Sequence, residues 1–248
     1  FTPFTLGWIA VLVVGGLAFR LAMVQYRVHQ IRSSPTATPV EHHPDIARVV
    51  HRCRQRLGLS KVIEVYVVDA PVRNAFAIGL VAPWVVVIYT GLVEALDEDE
   101  LASVIGHELG HVDLRHTRLL GLIGQAGSQT FGAGFLGLML RKLVFLSWSR
   151  ASEFSADRAG LIACGRLDKA LSTELKLALG SRWRAVDLPD VIQTYRERDV
   201  SLGEQLGSLM STHPDVYARL DRLVDFYYSD AAVRLGVRPD GGPEGVPA

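Results

Sequence analysis

The stretch "SVIGHELGHVDLRH", residues 103 to 116, sets three histidines and a glutamate within ten positions. An α-helix turns about 100° per residue, so His107 and His111 stand about 40° apart around the axis and one turn apart along it. Two imidazoles so placed can hold one metal ion. Glu108 lies about 100° round from His107, beside the pair, where its carboxylate reaches a water without becoming a ligand. This is the arrangement needed for metal-assisted hydrolysis: two nitrogen ligands, a general base and an open position. On a helix that continues, His116 falls about 140° from His111, so it reads as a helix-end group or an outer partner of the site.

A catalytic zinc takes three protein ligands, so one is missing. The H-E-x-x-H pattern by itself is not decisive. Glu108 with His111 also matches half of a di-iron bundle site, but that site needs a second Glu-x-x-His and the chain has none. The metzincin extension needs Gly at 114 and His at 117, where this sequence has Leu114 and Thr117. "SRASEFSADRAGLIACG", 149 to 165, has helical periodicity and places Glu153 and Asp157 at i, i+4 on one stripe. Such a stripe is a solvated face in an ordinary protein. Next to the histidine helix it gains a use: Glu153 coordinates the metal, and Asp157 accepts a hydrogen bond from a ligand imidazole, which orients the ring and raises its basicity. One Zn2+ per chain is the cofactor these residues imply.

The rest of the chain must position those side chains. Its 248 residues suffice for one well-filled domain, and 49% hydrophobic residues with mean hydropathy +0.22 direct attention to a membrane segment. Twenty-six basic and 26 acidic residues balance, with no basic stripe interleaved with aromatics, so no nucleic-acid partner is expected. Cys53 and Cys164 form no paired motif and read as buried small hydrophobes. Residues 1–24 are predicted to be a transmembrane anchor contacting lipid, because Phe1 to Phe19 carries no charge. Arg20, Arg27 and Arg32 follow it while the first acid is Glu41, which places the remainder on the cytoplasmic side of a bacterial-type plasma membrane, with a single pass. Residues 25–44 read as a linker, in which His42 and His43 are solvated, and 236–248 as a disordered tail. Within the domain at 45–235, Ile46, Val49, Val50, Cys53 and Leu57 mark one helix face. Three strand-like runs follow at 62–70, 74–80 and 84–92, and Leu101, Ile105, Leu109 and Val112 give the histidine helix a core-facing side.

Four motifs in order, "NAFAIG" at 74–79, "HELGH" at 107–111, "SRASEFSADRAGL" at 149–161 and "THP" at 212–214 followed by Arg219, resemble the HtpX-like and CAAX-prenyl-protease-like zinc endopeptidases of peptidase family M forty-eight. The resemblance covers roughly residues 45 to 228. It implies an α+β, mostly helical gluzincin domain with a small sheet, Glu153 as third ligand, membrane-linked endopeptidase activity, and roles for Asn74 and His213 around the substrate carbonyl. Taken as residues alone, Asn74 fits a turn as well as a substrate contact, and His213, before Pro214, fits a helix N-cap as well as an oxyanion donor. Arg219 either pairs with an acid of the site or faces solvent.

Between the ligand helices, 119–148 is apolar and Gly-rich. Thirty residues cannot cross a bilayer twice, and one crossing would separate Glu153 from His111. A packed helical hairpin is expected there, rather than a re-entrant element, because Gln125, Ser128, Gln129 and Thr130 interrupt it. The resulting expectation is a membrane-anchored zinc metalloendopeptidase, acting in protein quality control, that takes a protein or peptide substrate as an added edge strand along 74–80. The alternative is a catalytically silent zinc-binding scaffold or chaperone-like peptide binder; retention of Glu108 favours the enzyme.

Overall fold

In a computed structural model, which describes residues 3–118, 135–189, 192–193 and 214–238, the chain opens with helix α1 (Pro3–Arg32), strand β1 (Ala37–Pro39), helix α2 (Pro44–Arg56) and strands β2 (Ile63–Val68), β3 (Ala75–Ile78) and β4 (Trp84–Tyr89). A short helix α3 (Thr90–Val93) leads into α4 (Glu98–Asp113). Then come α5 (Phe135–Cys164), α6 (Leu167–Leu179), α7 (Pro214–Tyr228) and α8 (Asp230–Arg234). This is the expected α+β class, helices around one small sheet.

The sheet has the order β1-β2-β4-β3, with β2 and β4 parallel at its centre and β1 and β3 antiparallel at the edges. β4 reads "WVVVIY" without alternation because both of its faces are covered, and Val85, Val86, Val87 and Ile88 are all buried. On one face Ile63, Val65, Val67, Val86 and Ile88 join the main core with α2, α4, α5, α6 and α7. On the other, Val85 and Val87 meet Tyr66, Phe76 and Ile78 under Val28 and Ile31 of α1. The last turns of α1 are therefore part of the domain. An ion pair from Arg32 to Glu64, 3.0 Å, holds them there.

Two N-terminal expectations need correction. The stretch read as a linker carries β1, with Ala37 opposite Val68, and His43 is tied by Nε2 to Thr38 Oγ1 at 2.7 Å rather than solvated. Its Pro and Thr content hid a strand because an edge strand tolerates proline. The expected transmembrane span over 1–24 is not found: among the described residues no helix is long and apolar enough to cross a membrane.

Helix α4 begins with a reciprocal cap, in which the Asp97 carboxylate accepts from the backbone N–H of Asp99 and Glu100 while the Glu100 carboxylate accepts from that of Asp97. It then packs along α5 through small residues. A Cβ on Gly106 would lie 2.3 Å from that of Ala163, one on Gly110 2.6 Å from that of Ala159, and one on Gly160 2.7 Å from the Ser103 carbonyl oxygen. The two backbones can come this close only without those side chains. Helix α5 runs unbroken from Phe135 to Cys164, so the end of the apolar 119–148 stretch and Glu153 share one helix; residues 119–134, and with them the expected hairpin turn, lie outside the described residues, as does the tail from 239 on. Cys53 and Cys164 are buried free thiols, pushed up to about 12 and about 11 chiefly by burial.

Candidate metal centre and active site

The close crossing of α4 and α5 brings together side chains 42 to 46 positions apart in the chain. His107 Nε2 and His111 Nε2 lie 3.0 Å apart, and the two Glu153 carboxylate oxygens reach 3.6 Å from His107 Nε2 and 3.6 Å from His111 Nε2. For Zn–N bonds of about 2.0–2.1 Å, ligand atoms at the corners of a tetrahedron are separated by roughly 3.3 Å. The three separations fall close on either side of that edge. His107, His111 and Glu153 together could hold a metal ion, and the chemistry of this donor set fits zinc.

Asp157, one turn beyond Glu153, accepts from His107 Nδ1 at 2.9 Å. Arg219 of α7 in turn donates to both Asp157 oxygens, Nε to Oδ2 at 2.8 Å and Nη2 to Oδ1 at 2.5 Å, and reaches Glu174 Oε2 at 2.9 Å. Arg219 thus pairs with acids of the site rather than facing solvent. These contacts set the charges. Burial opposes the charged form of Asp157, but Arg219 and His107 outweigh it and hold the carboxyl well below the usual carboxylate range. Burial also opposes the His107 cation, yet the hydrogen bond and charge of Asp157 lift that imidazole to about 9. Burial, with the neighbouring His107 and His116, drives His111 down to about 3. Burial and then the Glu153 charge raise Glu108, against the pull of His107.

Glu108 opens onto a cleft of about 390 Å³ beside the metal site, which Arg73, Asn74, Glu174, Leu177 and Val216 also line. The backbone of Ala77 in β3 favours the Glu108 carboxylate and partly offsets its burial. Asn74 sits at the start of that strand. Its carbonyl accepts from the Tyr89 N–H at 3.2 Å and its side-chain oxygen from the Ala75 N–H at 3.0 Å. His213 lies outside the described residues.

One residue of this site escapes sequence reasoning: Glu174 of α6 belongs to no motif, and only the packing of α6 against α7 brings it to Arg219. His116, read as a helix-end group or an outer partner of the site, is buried with its Nδ1 3.1 Å from His111 Nδ1, although the route that takes it there was not foreseen. A break in the helix after residue 113 could not be read from "HVDLRHT", which has neither glycine nor proline.

A family model described as Peptidase family M48 matches residues 41–226. A curated protein, "Protease HtpX homolog" from Sulfurovum sp. (strain NBC37-1), is 28% identical over 251 residues, covering 87% of each chain. No solved structure matches.

Proposed function

This chain belongs to peptidase family M48 and is a protease; from that premise we propose that it is a zinc-dependent endopeptidase that hydrolyses extended segments of protein substrates. The observation that carries the reading is the convergence of His107 Nε2, His111 Nε2 and the Glu153 carboxylate on one point with separations of 3.0–3.6 Å.

His107, His111 and Glu153 would hold the ion, which when bound supplies a Lewis acid at the mouth of the cleft and polarises the scissile carbonyl. Glu108 accepts a proton from the attacking water and returns it to the leaving amine nitrogen, so that one carboxylate serves both halves of the reaction. Its burial suits that task, because a carboxyl raised above the ordinary range holds the proton long enough to pass it on. Asp157 fixes His107 with its proton on Nδ1 and its Nε2 lone pair toward the ion. Asn74 and His213 are assigned to the substrate carbonyl and its developing negative charge.

The substrate strand is proposed to pair with β3. Because the Asn74 carbonyl accepts from Tyr89, alternation along the antiparallel ladder turns the backbone groups of Ala75 and Ala77 to the outer side, over Glu108. An extended peptide added there passes the base in register. The exposed apolar side chains of α1, including Leu12 and Phe19, each more than half exposed, support attachment to a membrane with the basic residues after Phe19 on the cytoplasmic side. Unfolded segments near that surface are the proposed substrates, as in protein quality control.

Glu108→Gln tests the reading. Zinc content should be retained while hydrolysis of casein falls by about 10²- to 10⁴-fold. Turnover at the wild-type rate would overturn it.

A further inference from the structure

Helix α4 stops at Asp113, and its end is held in place from outside: Lys61, just before β2, donates to the Asp113 carbonyl at 2.6 Å and pairs with the Asp113 carboxylate at 2.9 Å. Two residues later Arg115 adopts φ 64°, the left-handed region that side chains with a Cβ enter only under strain. Among the described residues it is the one non-glycine in that region. That single turn swings His116 back from the face it would occupy on a continued helix. It delivers the ring to the far side of His111, Nδ1 to Nδ1 at 3.1 Å, with the edge of Trp148 from α5 behind it at a centroid distance of 6.0 Å.

We propose that His116 is the positioning residue of the ligand His111, accepting its Nδ1 proton so that the Nε2 lone pair is kept free for the metal. The inference rests on the metal-centre reading above. A hydrogen bond between two Nδ1 atoms contains one proton, and its location follows from the other side of the ring. His111 Nε2 points at His107 Nε2 and Glu153, so it must be bare to bind an ion. The proton is then on His111 Nδ1, His116 Nδ1 accepts it, and His116 carries its own proton on Nε2. Without that acceptor, His111 is free to take the other tautomer, whose Nε2–H would occupy the place of the ion. The two ligand histidines are therefore held by unlike partners. His107 is backed by a carboxylate that is itself neutralised by Arg219, His111 by a neutral imidazole. The strained backbone at Arg115 has a use under this reading, since it is the element that aims the acceptor.

The test uses the full chain with His116→Asn, which keeps an acceptor oxygen close to the Nδ1 position, and His116→Phe, which keeps a ring against Trp148 and has no acceptor. Zinc affinity is measured by competition with a chelator, thermal unfolding is followed on the metal-free proteins, and ¹⁵N NMR reads the tautomer of His116 in the zinc-loaded wild type. His116→Phe should lose about 10- to 100-fold in zinc affinity, His116→Asn should stay near wild type, the two metal-free proteins should unfold alike, and His116 should show a bare Nδ1. Wild-type affinity in His116→Phe, or equal losses in both variants, would overturn the proposal. A wild-type chain that binds no zinc at all would instead sink the metal-centre reading and this inference with it.

Discussion

The two ends of helix α4 each bury charged or polar side chains, and they treat them in opposite ways. At the N-terminal end Glu100 is almost fully buried, and its carboxylate is saturated: Ser172 Oγ donates to Oε1 at 2.7 Å, while Lys176 Nζ and the Asp97 N–H donate to Oε2 at 2.6 and 2.9 Å. Lys169 completes the group by reaching Asp97 at 2.5 Å. Donors match acceptors, so this cluster is a finished piece of structure that joins α4 to α6. At the other end His107 Nε2, His111 Nε2 and the Glu153 carboxylate converge within 3.0–3.6 Å of one another. Burial differs as well, the Glu100 side chain being 2% exposed and that of Glu153 36%. Under the proposed function, what distinguishes the two clusters on this helix is that the first matches its own donors and acceptors while the second needs a divalent cation to do so.

Glu153→Ala breaks this contrast most severely. Removing a ligand should cost zinc affinity more than the ~10- to 100-fold expected for loss of an outer partner, and proteolysis with it, while the metal-free protein keeps its unfolding midpoint; equilibrium dialysis and a casein assay read both. Next comes pH. His107 titrates at about 9 in the folded state against 6.5 unfolded, so its contribution is complete below pH 6.5 and is lost as pH rises through about 9. His111 titrates at about 3, so its contribution is complete above 6.5 and is lost as pH falls toward 3. The metal-free domain should therefore be most stable near pH 6.5, with a decline on the order of 3 kcal/mol on the alkaline side. Zinc should abolish that alkaline decline by holding both rings deprotonated, and denaturant melts across pH 5–9 check this.

The saturated cluster should respond in stability alone. Glu100→Gln leaves Lys176 with an unpaired charge at a mostly buried site and should lower unfolding free energy by roughly 2–3 kcal/mol with zinc stoichiometry unchanged. The smallest effect is expected at the crossing itself. Gly106→Ala gains helix propensity but drives a methyl into Ala163, for a net loss of about 1–2 kcal/mol, and should loosen zinc by separating α4 from α5. A Gly106→Ala protein as stable as wild type would mean that the close approach is not what aligns the ligands.

Much of the site was legible in the residues. The i, i+4 pairs His107/His111 and Glu153/Asp157 each lie within one helix, where 3.6 residues per turn dictates which side chains share a face. The strands at 63–68, 75–78 and 84–89 were legible for a similar reason, since β-branched runs bounded by turn residues state their own conformation. The assumption of a continued helix could not supply the route of His116 to its place: Lys61, from another part of the chain, holds the end of α4, and Arg115 turns the backbone so that this outer residue meets His111.

By itself, then, the sequence determined the local geometry: which imidazoles face one way, where a carboxylate and its neighbour fall one turn apart, which runs extend and which coil. Tertiary structure decided which of those faces meet. The glycines at 106, 110 and 160 let α4 and α5 touch, α7 carries Arg219 to Asp157, and α6 adds Glu174. The last turns of α1 close the outer face of the sheet, where the sequence had shown only a linker and a membrane span. Periodicity is a property of covalent backbone geometry and can be read along the chain. The meeting of two surfaces depends on the volumes of side chains far apart in sequence, and no spacing records it.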